Sequence, residues 1–568
     1  MSLSIMGVYV HGRLSGEFSH HLMQAKRWGM PPLLQEKGLT PLYLPGTEAG
    51  WDGQFYYDAA NDLLDLHGTS RFIDSDAYRY QRIGLPLFAK GLASVLGQSW
   101  VSPELYYAAD LLLILLATFV GARFFQSAGV SPFWILLWTF GPGTQLTLLN
   151  GLPDAFADAW VILGMVAFVR GRNLLYAISL AMAALSRETF VVLPLALGAG
   201  VLLRGVVPSL NASRQRMPIP ELVRAAFWQA IPVLVFAVWQ IFIRLHFHKA
   251  PSSQAAGILG PPFESLVHHL SAGLAGHYPS VSEGKWSRIA GVDLVFFVVL
   301  LLAMAAVFIA QVRAVCSRQQ LIQRFPGLFE VSAVSFVIVM LYMSFGDSVI
   351  WNFSGFMKAA TIFVFLIPFL MTWRKQRIPA VLLVFLLVMD AYFGWRLWAF
   401  RLSGAPIVYK VDRQCAALSF DEQPTCRKDF VWQGRELPGI VGKVTGTARV
   451  ATPASRADFL SYGPYIALPP GRYRVTLRYR RSADASAAAS VVPPAQAKDF
   501  DWRMGVFGGS ARVTLAHGRL LALAQRMTTD ITVPTRTEGV ELQVYYDGIG
   551  QLALDSIEIA QAVSDTSH

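Results

Sequence analysis

The stretch Leu105–Phe124, LYYAADLLLILLATFVGARF, decides the fold class. Apart from Asp110 and Arg123 it carries no charge. Its length as a helix, at 1.5 Å per residue, is about 30 Å, the thickness of a bilayer's hydrocarbon. Water does not reach that region, so the backbone must satisfy its own polar groups, and a single segment does this only as a helix. Similar runs recur as far as Phe400 and then stop. They lie near 105–124, 133–149, 155–170, 174–186, 188–204, 227–245, 292–311, 331–346, 356–373 and 379–399, which predicts a polytopic bundle of about 10–11 spans.

The composition agrees. The 568 residues are 54% hydrophobic and 15% charged, with a mean hydropathy of +0.42, whereas a soluble chain has about 25% charged residues. A formal charge of +11 raises the question of nucleic acid. The basic residues, however, fall in alternate loops: Arg123; Arg170 with Arg172; Arg204 with Arg214, Arg216 and Arg224; Arg313 with Arg318 and Arg324; Arg374 with Lys375 and Arg377. Such a bias orients a membrane protein with those loops in the cytoplasm, so no nucleic-acid partner is expected. The same parity puts residues before Leu105 and after Arg401 outside.

Two domains follow: 1–401, with an outer loop 11–98, helices over 105–399 and a second outer loop 246–291, and an extracytoplasmic domain 402–568. Ser2–Val10 is apolar but too short to span, and reads as the tail of a missing helix or as an interfacial anchor. Arg79–Leu96 has helix-like apolar spacing with Arg82 and Lys90 interleaved, which suits a helix on the membrane surface or an ordinary amphipathic core helix.

After Leu402 the period changes. In GRYRVTLRYR (471–480), Tyr473, Val475, Leu477 and Tyr479 alternate with Arg472, Arg474, Thr476, Arg478 and Arg480, as in a half-buried strand. Further strands are expected at Tyr465–Leu468, Met504–Phe507, Ala511–Leu515, Asp530–Val533, Val540–Tyr546 and Gln551–Ile559, between Gly/Pro turns, as in an antiparallel sandwich. The arginine row reads as a solvated face, with a grip on an anionic glycan or lipid headgroup as the alternative. Cys415 and Cys426 lie outside, where a disulfide persists, and are expected to form one; Cys316 falls in a cytoplasmic loop.

Chemistry-bearing residues gather in the outer loops. The first contains WDGQFYYDAANDLL (51–64), then Asp74, Asp76 and YRYQRIGLPLFA (78–89). A carboxylate at the water–lipid boundary can take a proton from a hydroxyl, and nearby guanidinium groups can hold a phosphate in two-point fashion. The plainer alternative is a turn capped by Asp52-Gly53. Asp154 and Asp158 share a helix face at the outer end of a span, as partners of the helix dipole or, less simply, of a metal or substrate. In the second loop His246, His248, Lys249, His268, His269 and His277 match no metal-ligand spacing, which favours interfacial or acceptor-binding histidines over zinc. There is no Walker loop or Gly-rich dinucleotide motif.

Both first-loop stretches, together with Gly151-Leu152-Pro153-Asp154-Ala155 and Ser186-Arg187-Glu188-Thr189, resemble the signature of bacterial GT-C glycosyltransferases, multi-span enzymes that use polyprenyl-phosphate sugars. The resemblance covers roughly Gly50–Leu195 and departs from the family in lacking most of its first transmembrane helix. It implies an inverting sugar transfer in the bacterial inner membrane, to a glycan, lipid or protein acceptor on the periplasmic side. The implied base is Asp52; Gln54, Tyr56, Arg79, Arg82, Arg187, Glu188 and Lys358 would bind substrate or stabilise the phosphate leaving group, with Arg187–Glu188 read alternatively as an ion pair between helices. No cofactor is specified, and a divalent metal stays open. More loosely, Tyr462-Gly463-Pro464-Tyr465, Leu468-Pro-Pro-Gly471 and Val544-Tyr-Tyr-Asp-Gly548 are similar to jelly-roll carbohydrate-binding modules. The competing classes are a transporter or flippase, which needs ionisable groups deep in its spans, and a non-catalytic scaffold for glycan assembly.

Overall fold

The structure is a computed structural model. It describes residues 9–10, 18–25, 28–39, 50–207, 217–254, 257–274, 328–350, 353–373, 380–402, 430–437, 439–468, 470–482, 499–507, 513–522, 524–535 and 537–561, with 298–299, 302–303, 305–306 and 309. Cys316, Cys415, Cys426, His277 and most of Ser2–Val10 lie outside these residues. The chain divides into two compact units, 1–9 with 52–404 and 10–51 with 405–568. Most of the first outer loop's leading half therefore groups with the carboxy-terminal unit rather than with the helices.

The helical unit begins with α2 (Gly53–Asn61), α3 (Asp76–Tyr80) and α4 (Gly84–Val95); the other unit holds α1 (Pro32–Glu36). Then come α5 (Pro103–Ser127), α6 (Ile135–Thr139), α7 (Pro142–Asn150), α8 (Asp154–Val169), α9 (Asn173–Ser186), α10 (Val192–Val206) and α11 (Ile219–Phe247). After these are α12 (Glu264–Leu274), α13 (Leu328–Met343), α14 (Asp347–Ile350), α15 (Phe353–Trp373) and α16 (Ala380–Leu402). Among the described residues three helices are long and apolar enough to cross a membrane: Pro103–Ser127, Glu188–Val206 and Ile219–Phe247. The first opens on a good signal: Ser102 caps it by accepting from the Leu105 N–H at 3.2 Å, and Pro103 sits at its first position, where no N–H is needed.

Three expectations are corrected. The run 133–149 is not one helix: α6 ends at Thr139 and α7 starts at Pro142. Pro142 has no N–H to continue α6, and its ring disfavours helical backbone at the residue before it. The carbonyls freed by the break are taken up inside the protein, Trp138 O by Thr144 Oγ1 at 2.7 Å and Thr139 O by Gln145 Nε2 at 3.0 Å. Arg79–Leu96 is likewise two helices, α3 and α4, rather than one. Gly84 opens α4 against the end of α9 so closely that a Cβ would lie 2.0 Å from Ser186 Oγ. Only glycine permits that approach, and it fixes the bend between α3 and α4. Arg204, read from the sequence as a loop charge, pairs with the wholly buried Glu330 of α13 at 3.0 Å.

The carboxy-terminal unit is antiparallel β. One sheet holds β2 (Lys443–Thr445), β3 (Ala448–Ala451), β11 (Leu552–Gln561), β6 (Gly471–Arg481) and β9 (Arg526–Val533) in that order, with β1 (Phe430–Gln433) also on β11. The other holds β4 (Asp458–Ser461), β10 (Thr537–Tyr546), β7 (Trp502–Val506) and β8 (Val513–Gly518), with β5 (Pro464–Leu468) also on β10. Tyr473, Val475, Leu477 and Tyr479 of β6 share one core with Met504, Val540, Leu542 and Val544 of the other sheet, so the two sheets enclose it as a sandwich. The alternation holds along β6 except at Thr476, which is buried and bonded to Thr528 at 3.3 Å. Strands β1 to β4 had no counterpart in the sequence reading, since three or four residues are too few to display a period.

Candidate active site

The helical unit gathers charge around Asp52. This residue precedes α2 with helical backbone, φ −55° and ψ −25°, and its side chain caps nothing. Gly53 explains the placement: a Cβ there would lie 1.8 Å from the Asn150 carbonyl oxygen, so the start of α2 seats directly on the end of α7. Asp52 is thereby set beside the turn that leads to Asp154. Its Oδ2 pairs with Arg79 NH1 at 3.0 Å, and half of its side chain stays exposed.

Arg79 is committed on every side. Its Nε and NH2 donate to both Asp74 oxygens at 2.9 and 2.8 Å, and NH1 also donates to Tyr56 Oη at 3.4 Å. The rings of Phe55, Tyr56 and Tyr78 surround the guanidinium at 5.1–5.6 Å. Arg82 is similarly occupied, forking onto both Glu188 oxygens at 2.7 Å over the Tyr78 ring at 4.8 Å. Such two-point pairs are the geometrically strong ones. Arg187 is held more loosely, 3.7 Å from Asp154 Oδ1 and 3.4 Å from the Lys358 carbonyl oxygen, near the Phe190 ring. Lys358 is partly buried and attracts both Asp52 and Asp154.

These charges set the protonation states. The surrounding protein opposes a charge on Asp52, but Arg79, Lys358 and Arg82 together outweigh it and hold the carboxyl below its usual range. Burial pushes the Tyr56 phenol up, so it stays protonated. Arg79 stays charged against its burial because the carboxylates of Asp74 and Asp52 favour the cation.

Of the residues singled out in the sequence, Asp52, Tyr56, Arg79, Arg82, Arg187, Glu188 and Lys358 come together here. Gln54 is 2% exposed within α2, and Tyr56 is fully buried behind Arg79. Arg187 and Glu188 do not pair with each other: they reach Asp154 and Arg82 respectively. Asp74 and Tyr78 belong to the site although the sequence reading gave them no role; Asp74, five residues before Arg79, was the available signal. In the second outer region His246 pairs with Asp65 at 3.4 Å, Lys249 with Asp76 at 3.1 Å and His268 with Asp347 at 3.1 Å. His269 is buried, which lowers it to about 4 against the pull of Asp347. Among the described residues no group of three or more His, Cys, Asp or Glu side chains is arranged to hold a metal.

Two further carboxylates lie deeper. Asp110 of α5 is 1% exposed and neither of its oxygens has a hydrogen-bond partner. Asp158 of α8 is completely buried, with the Trp138 indole beside its carboxylate but outside hydrogen-bonding geometry. Comparison of the chain with known protein families, with curated proteins and with solved structures returns no match.

Proposed function

We propose that the chain is a polytopic membrane glycosyltransferase of GT-C type that moves a sugar from a polyprenyl-phosphate carrier to an extracytoplasmic acceptor. The observation that carries this reading is the half-exposed Asp52 carboxylate, held on Arg79 and attracted by Lys358, whose carbonyl oxygen accepts from Arg187. In this mechanism Asp52 accepts the proton of the acceptor hydroxyl as that oxygen forms a bond to the anomeric carbon, and the bond from that carbon to the phosphate oxygen breaks with inversion. The electron pair leaves on the phosphate, whose charge Arg187 and Lys358 stabilise. Arg79 and Arg82, whose donors are occupied by carboxylates, position Asp52 and brace Glu188. The helices between 105 and 399 cross the bilayer about ten times, and the β unit lies in the periplasm as a jelly-roll that holds the acceptor glycan.

The test is sugar transfer from a panel of polyprenyl-phosphate sugars in membranes carrying wild-type chain or Asp52→Asn at matched levels. Transfer by the wild type that is lost in the variant supports the reading; equal transfer removes Asp52 from the mechanism. A transporter is the second reading, favoured by the buried Asp110 and Asp158. It requires substrate uptake into sealed vesicles that depends on those two residues and not on Asp52.

A further inference from the structure

The outer face of β6 and β9 carries a like-charge pair. Antiparallel register sets Arg474 opposite Asp530 and Arg478 opposite Arg526. Arg474 forks onto Asp530 at 2.8 and 3.1 Å, and Arg480 onto Asp555 at 2.8 and 3.2 Å. Arg478 has no such partner: β9 offers it Arg526, and β11 offers it Ser556. Both arginines are exposed, and among the described residues neither has a carboxylate partner. Opposed residues of an antiparallel pair have Cα atoms about 4.5–5.5 Å apart, and like charges placed so oppose the strand pairing. Charge alone would be better distributed by an acid at 526, as at 530.

We propose that Arg478 and Arg526 form a seat for the carboxylates of an acidic glycan. Two planar forks that share one oxyanion turn a repulsive pair into an attractive one, and a carboxylate matches the fork in two-point geometry. The surroundings favour a glycan over a bilayer. On these two strands the outward residues around the pair are Thr476, Thr528 and Thr532, with Thr528 and Thr532 exposed, and Asp530, whose carboxylate Arg474 takes up. Hydroxyls can bond to sugar hydroxyls, whereas a membrane-docking face needs exposed apolar side chains to insert, and this face presents none on either strand. The inference does not depend on glycosyl transfer, since it concerns the β unit alone.

The experiment is titration of the full chain in neutral detergent with an oligogalacturonate, its methyl ester, and vesicles of phosphatidylcholine with or without phosphatidylglycerol. The wild type should bind the acid and not the ester. Arg478→Gln with Arg526→Gln should weaken binding about tenfold or more, with no loss of melting temperature because a repulsion has been removed. Arg435→Gln with Arg456→Gln, the same loss of charge elsewhere on the unit, should bind as the wild type does. Arg478→Lys keeps the charge and loses the fork, and should bind more weakly than wild type while folding normally. The proposal is overturned if the wild type fails to bind, if the ester binds equally, if the Gln pair binds as wild type, or if only the anionic vesicles bind through these residues.

Discussion

Each unit of this chain contains a carboxylate clasped by arginine, and the two clasps differ in one respect. In the β unit, Asp501 accepts from Arg481 at 3.1 Å, Arg519 at 3.0 Å and the Leu520 N–H at 2.8 Å, and its side chain is 4% exposed. In the helical unit, Asp52 is held by Arg79 and remains 50% exposed. The chemistry is the same, but Asp501 has spent its lone pairs on the fold, whereas Asp52 is steered on one side and open on the other. A carboxylate closed on all sides stabilises; one left half open can react.

The comparison breaks most sharply at Asp52 itself. Asp52→Asn keeps the shape and removes the proposed base, so the proposed transfer should fall by a factor of about 10²–10⁴, with the melting temperature of the purified chain unchanged. At Asp501 the expectation reverses. Asp501→Asn strips a charge that pairs with two guanidinium groups, and because Arg519 is more than half exposed and Arg481 keeps Asp547 the cost is about 1–3 kcal/mol, read as earlier unfolding of the β unit in denaturant while the helical unit keeps its transition. If both substitutions acted on stability alone, Asp52 would be a second structural clasp.

A smaller effect tests how Asp52 is aimed. Gly53→Ala puts a methyl group 1.8 Å from the Asn150 carbonyl oxygen, a clash with backbone that α2 can relieve only by shifting. Overpacking of this kind costs about 1–3 kcal/mol. Because the shift displaces Asp52, transfer should drop more than stability does, whereas Gly446→Ala, in the open β2–β3 turn, should leave transfer alone.

How much of this the sequence discloses depends on distance along the chain. The apolar runs are legible because a long apolar helix needs a long uncharged stretch, and among the described residues most of the longer helices between Pro103 and Leu402 fall within a few residues of their runs. The break at Pro142 is concealed when hydropathy is averaged over a window, although Gly141-Pro142-Gly143 spells it out. The Asp52–Arg79 contact spans a loop whose path no local pattern reveals, and Arg82–Glu188 joins residues 106 apart in the chain. Adjacent Arg187 and Glu188 invited a pairing that the fold does not make: Arg187 is extended, φ −150° and ψ 109°, at the junction between α9 and the turn that starts at Glu188, and the two side chains reach Asp154 and Arg82. In the β unit, β6 was legible from the alternation over 471–480, but which arginine faces which partner depends on register, and register belongs to the pair of strands.

The smallest effect is the most specific. Asp52 must be ionised to act as a base, and its carboxyl is held low because Arg79, Lys358 and Arg82 outweigh the burial that would raise it. A carboxyl depressed in this way is active above its folded value and loses activity as pH falls through that value, so the acid limb of wild-type transfer should lie below the ordinary carboxylate range. In Arg79→Gln the strongest of the three attractions is gone and burial acts with less opposition, so the limb should move to higher pH. Asp74 loses its partner in the same variant, but that loss lowers stability without moving a catalytic limb, so the position of the limb, separate from its height, reports on Asp52. A limb that stays where it was would mean that Arg79 serves the loop and not the carboxylate, and the open clasp would then be open on every side.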